Sequence, residues 1–148
     1  MRKNAMAGLV MAAVLGPVGA ASAATSYDFV IFHNNTSSVW RRVSQSIING
    51  DGWMVLQPDE NPAGGTKSGY YKTMSGRTTY YSATWEDMSD GTSCTFNSRS
   101  YVNAFGNMAF AYSVTTAGLR ASTVICTGHV PPYSNLDGSY DFNYYASY

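Results

Sequence analysis

The sequence predicts an all-β protein: a single antiparallel β-sandwich of about eight strands, with one disulfide, after a cleaved signal peptide. Three observations carry this. Tyrosine (12) and glycine (14) are abundant, and no run mixing Glu, Lys, Ala and Leu occurs. Short aromatic and β-branched runs recur at hairpin spacing between Gly, Asn, Asp and Pro clusters. Apolar residues reach 45% against 12% charged, which suits a packed core rather than disorder. A chain of 148 residues favours one domain.

Arg2 and Lys3 precede an apolar stretch, Ala5 to Ala20, and Ala21-Ser22-Ala23 supplies the small residues of a cleavage site. The sequence therefore predicts a signal peptide over 1–23 and a sandwich domain over 24–148. The apolar stretch is short for a membrane span and holds Gly and Pro. The leader has a bacterial character, so the expected destination is extracellular or periplasmic. Losing Arg2 and Lys3 from nine basic residues leaves seven against nine acidic ones, a net charge of about −2. That balance gives no electrostatic footprint for nucleic acid. Cys94 and Cys126 are the cysteines, and an even count in an exported chain predicts a disulfide.

Tyr27–His33 reads as a first, central strand ending at Asn34-Asn35-Thr36-Ser37. In Val39–Ile48, alternation of Ser44 and Ser46 favours a strand; a short helix capped by Ser37 and ended by Gly50 is the alternative. Trp53–Leu56 is a short strand stopped by Pro58, and Asp59–Ser68 is the most loop-like segment. Gly69–Met74 and Arg77–Trp85 read as a hairpin about Ser75-Gly76, and Glu86–Thr92 as an acidic turn. Ser93–Ser98 and Tyr101–Phe105 follow as strands. Met108–Val114 alternates most cleanly, and Ala121–Val130 is a further strand ended by Pro131-Pro132. The aromatic tail from Gly138 forms a last one. The predicted core is Phe29, Ile31, Phe110, Tyr112, Val114 and Val124.

No catalytic constellation assembles, so the expectation is a non-enzyme. His33 and His129 sit at strand ends, and no G-x-S-x-G elbow occurs. Glu86-Asp87 with Asp90 offers carboxylates for calcium or a glycosidase pair, but the spacing is not that of an EF-hand. Two cysteines and two distant histidines are too few for zinc, and no metal or other cofactor is expected. The aromatics are more informative. In Tyr70-Tyr71, Tyr80-Tyr81 and Tyr144-Tyr145 one member of each pair should face outward. Exposed Tyr and Trp serve sugar stacking, choline capture and membrane interfaces.

Several segments resemble aegerolysins: Tyr27–Asn35 (YDFVIFHNN), Leu56–Glu60 (LQPDE), Tyr80–Cys94 with Trp85-Glu86-Asp87, and Met108–Val114. Actinoporin-like fruit-body lectins are similar around Trp40 and Trp53. The matches are short and cover about half of the mature chain. The disulfide and the tyrosine tail depart from the pattern. The resemblance implies a two-sheet sandwich that binds lipid headgroups or glycans, sometimes within a pore, with Trp53, Trp85, Glu86 and Asp87 in a binding loop. The candidate ligand residues are therefore Trp53, Tyr70, Tyr71, Tyr80, Tyr81, Trp85, Glu86 and Asp87. The favoured function is a secreted module that binds lipid headgroups or glycans through aromatic loops, with a toxin-like role as one form. A homo-oligomer or a partner protein would fit as well. The alternatives are a secreted inhibitor or structural envelope protein, and a small outer-membrane barrel.

Overall fold

The computed structural model describes residues 25–49, 53–55, 57–74, 78–102, 108–130 and 140–148. The expected signal peptide, the turn at Ser75-Gly76 and the Pro131-Pro132 stop lie outside these residues. Among the described residues there are ten strands and no helix: β1 (Thr25–Asn35), β2 (Trp40–Ile48), β3 (Trp53–Val55), β4 (Glu60–Asn61), β5 (Thr66–Met74), β6 (Thr78–Asp87), β7 (Ser93–Val102), β8 (Met108–Ala117), β9 (Ile125–His129) and β10 (Tyr140–Ser147). They form two five-stranded sheets, ordered β3-β5-β1-β10-β9 and β4-β2-β6-β7-β8. This is the expected two-sheet sandwich. Among the described residues neither sheet closes on itself, and the two-sheet sandwich replaces the membrane-barrel alternative. Pairing is antiparallel except between β1 and β10, which run parallel.

β6 shows how sequence becomes layer. Successive side chains on a strand alternate faces. Thr79, Tyr81, Ala83, Trp85 and Asp87 point inward and are buried, while Tyr80, Ser82, Thr84 and Glu86 point outward. The inward rings meet those of the other sheet. Phe32 packs on Trp85 at 4.5 Å between centroids, on Phe96 at 5.5 Å and on Trp40 at 6.0 Å. Phe96 stacks on Tyr144 at 4.7 Å, and Tyr81 lies between Tyr144 and Tyr71. This aromatic ladder is the core. The Cys94–Cys126 disulfide, with Cα atoms 5.8 Å apart, ties β7 of the second sheet to β9 of the first.

Three expectations are corrected. The register of β1 is one residue off: Val30 and Phe32 are buried, while Phe29 and Ile31 lie half-buried on the outer face. The cause is polar burial. The inward face of β1 also carries Asp28, whose carboxylate accepts from Ser100 Oγ at 2.6 Å, and Asn34. The Asn34 amide donates to the carbonyls of Ser38, Asn61 and Pro62 at 2.8–3.0 Å. Hydrogen-bonded in this way, both tolerate burial. On β8, Tyr112 stays 45% exposed, Phe110 and Val114 are only partly buried, and Val124 is buried as expected.

Second, β5 and β6 are not a hairpin, because they belong to different sheets. Tyr71 and Tyr81 face each other across the core at 6.0 Å rather than side by side. Third, β6 runs through Glu86 and Asp87, so the acidic turn begins at Met88. Ser93–Val102 is likewise one strand.

Candidate functional site

The tyrosine pairs divide as the strand period requires. Tyr71, Tyr81 and Tyr144 are buried, Tyr70 and Tyr145 are half-buried, and Tyr80 is 43% exposed. Burial holds the phenols of Tyr71, Tyr81 and Tyr144 above the ordinary tyrosine value. Tyr81 donates to Gln57 Oε1 at 2.9 Å within the core. Tyr71 and Tyr81 are therefore core residues.

Trp85 and Asp87 also point inward. Trp85 is fully buried in the aromatic ladder. Asp87 is also buried, and its carboxylate is already engaged. Oδ1 accepts from the N–H and hydroxyl of Ser89 at 2.8 and 2.6 Å, and Oδ2 accepts from Ser38 Oγ at 2.8 Å. The Arg120 guanidinium lies 2.7 Å from Oδ2, also pairs with Asp90, and sits 4.8 Å over the Tyr148 ring. Burial pushes the Asp87 carboxyl up, but the bonds from Ser89 and Ser38 outweigh it and hold it below the usual range. This cluster ties the 88–92 turn, the 118–123 turn and the C-terminal residue together. Glu86 points outward, opposite Arg41. Trp53 pairs through its backbone with Tyr71 in the edge strand β3, and its side chain lies outside the described residues. His33 is held between Thr66 Oγ1 (3.1 Å) and Asn143 Oδ1 (2.9 Å) and stacks on Tyr145 at 4.5 Å.

A groove of about 310 Å³ lies on the outer face of the second sheet. Two register rows build it. Ile48, Tyr80, Arg99 and Ala111 lie side by side on β2, β6, β7 and β8; Ser46, Ser82, Asn97 and Ser113 form the next row. Tyr80 and Ile48 give an exposed apolar wall. The second row is a floor of uncharged donors and acceptors. Among the described residues Arg99 is the one charged residue lining it, its guanidinium 5.8 Å from the Tyr101 ring centroid. Of the candidate residues, Tyr80 alone both lines this groove and faces outward. Tyr70 lies on the opposite sheet, packed 5.2 Å from Phe29 and 6.0 Å from Tyr27. Sequence reading missed Ile48, Arg99 and the Ser46–Ser113 row. They come from four strands, and only cross-strand register brings them together.

No protein-family model matches the sequence, and no curated protein does. Solved structures do match in fold. One is the crystal structure of the lipid-binding protein Nakanori, at 10% identity and a TM-score of 0.57 over 83% of this chain and 71% of that one. At that identity the likeness is one of fold: the chain shares the β-sandwich of a lipid-binding protein.

Proposed function

We propose that the protein is an exported binding module without catalytic activity that docks on membranes by seating a zwitterionic lipid headgroup in the groove of the second sheet. The observation that carries this is the pairing of one exposed ring, Tyr80, with one cation, Arg99, beside a row of uncharged hydrogen-bonding groups. A quaternary ammonium over Tyr80 contributes about 0.5–2 kcal/mol. A phosphate oxygen bonded to Arg99 adds roughly 1.5–3 kcal/mol. The fold shared with a lipid-binding protein supports the same direction. With one cation in the groove and a mature net charge of about −2, attraction to anionic lipid is not the driving term.

A second reading has its own observation. A ring beside the Ser46–Ser82–Asn97–Ser113 row also suits a sugar, which stacks by one face and hydrogen-bonds by its edge.

Binding to phosphatidylcholine vesicles and to a glycan array tests both. The headgroup reading expects vesicle binding that persists in high salt. Tyr80→Ala and Arg99→Gln should each weaken it about tenfold, with the melting temperature unchanged. Wild-type protein that ignores the vesicles, or variants that bind them unchanged, would refute it. Release of a trapped dye from the same vesicles reads out a toxin-like step.

A further inference from the structure

Among the described residues four strands end the two sheets, and three of them carry ordinary protection against pairing with another chain. β3 is three residues long and Pro58 follows shortly after. β4 has two residues, one of them Glu60. β9 has five, includes Gly128, and is tied down by the Cys126 disulfide. β8 is different. It runs ten residues, MAFAYSVTTA, without a charge or a proline. Its register with β7 is unbroken from Ser93↔Ala117 to Val102↔Met108, so no bulge turns it away. Among the described residues, no backbone hydrogen bond outside its ladder with β7 involves it. Its core face is incompletely covered: Tyr112 is 45% exposed, and Phe110 and Val114 are partly buried.

We infer that β8 pairs antiparallel with β8 of a second copy of this chain, across a twofold axis normal to the second sheet. Directly opposed residues share a face. Of the two registers that centre the strand and keep core face to core face, one sets Tyr112 opposite itself. It brings Phe110 against Val114 of the copy, Ala111 against Ser113 and Ala109 against Thr115. That register extends the apolar row Phe110–Tyr112–Val114 without interruption and places no charge against a like charge. A charged or proline-bearing edge would not serve a second copy in this way, and the other three edges are too short to do so.

The pairing joins the two second sheets into one, with both outer faces on the same side. Because Ala111 and Ser113 line the groove, the two grooves come to lie near the axis and face one surface together. This last consequence rests on the headgroup reading; the pairing itself does not.

Sedimentation velocity of the disulfide-intact protein over a concentration series tests the pairing. A dimer is expected. A109K/T115K sets lysine against lysine twice and should weaken it about tenfold or more; A109E/T115K sets opposite charges there and should restore it. Both positions lie outside the groove lining. Should the lysine variant fail to fold, hydrogen exchange of wild-type β8 amides reads the same point, since their protection should rise with protein concentration. A wild-type monomer at every concentration overturns the proposal, as does a lysine variant that dimerises unchanged or exchange in β8 that ignores concentration. Soluble glycerophosphocholine separates the two readings. A monomeric variant should bind it like wild type yet hold vesicles at least tenfold less tightly. If neither protein binds it, the headgroup reading fails while the dimer stands.

Discussion

Replacing Trp85 by alanine tests whether this ring is scaffold or binding surface. The side chain is fully buried, so its whole contact area is lost. An aromatic side chain buries about 150–250 Å². At about 25 cal/mol per Å² that is roughly 4–6 kcal/mol, an upper value because the unfolded chain already covers some of it. One term runs the other way. The indole Nε1 is buried without a partner among the described residues, and removing it relieves roughly 1–3 kcal/mol. The net loss is about 3 kcal/mol, at the low end for Trp→Ala in a core. For a domain of this size, about 4 °C per kcal/mol converts it to a melting temperature lower by roughly 12 °C. Trp85→Phe, which keeps a ring and removes the N–H, should cost about 1 kcal/mol or less. Calorimetry of the three proteins measures this. A Trp85→Ala protein that melts within about 2 °C of wild type but loses vesicle binding would place the ring at the ligand and refute the reasoning.

Two other perturbations follow from the same structure. The disulfide closes a loop of 32 residues, so Cys94→Ser/Cys126→Ser should lose about 3–4 kcal/mol in a urea melt; a loss under about 1 kcal/mol would show that the two sheets hold together without it. Asp87 has a folded pKa below its unfolded value of about 3.9, so its stabilisation is present above that value and lost as pH falls through the folded pKa. Asp87→Asn should therefore cost about 2–4 kcal/mol at neutral pH and flatten the fall in stability below about pH 4; an unchanged acid limb would contradict the assignment.

Fold class was legible because the strand period survives in β6 and in the tyrosine pairs, where one residue of each two must face inward. The register of β1 was not. Its Phe29 and Ile31 are as apolar as Val30 and Phe32, since β1 is central in its sheet and Phe29 packs beside Tyr70 on the outer face. Composition could not reveal that Asp28 and Asn34 are the buried parity, because their partners, Ser100 and the carbonyls of Ser38, Asn61 and Pro62, are remote in sequence or lie in turns. The false hairpin between β5 and β6 has a related origin: adjacent strands of a sandwich pair or cross over with the same local pattern, and only the facing of Tyr71 and Tyr81 distinguishes the cases. Glu86 and Asp87 looked like the start of a turn because acidic residues cluster there, and the aegerolysin resemblance set Trp85 beside them in a loop. The segment is a strand end, with Asp87 turned inward to hold Arg120.

The two outer faces differ in what they leave available, and for the proposed headgroup binding this favours the second sheet. On the first sheet the rings are already spent on one another: Tyr27 and Phe29 on Tyr70, and His33 on Tyr145 with both ring nitrogens bonded. A ligand there would have to displace contacts the fold already makes. On the second sheet Tyr80 is exposed and, among the described residues, stacks on no other ring. Arg99 forms no ion pair among them and is steadied near Tyr101. The aromatic ladder beneath fixes the backbone of β6 and β7, so the groove residues are held in position without being consumed by packing. Binding can then be altered at Tyr80 or Arg99 with little effect on stability, whereas changes at Tyr81 or Trp85, one residue away or buried below, act on the fold.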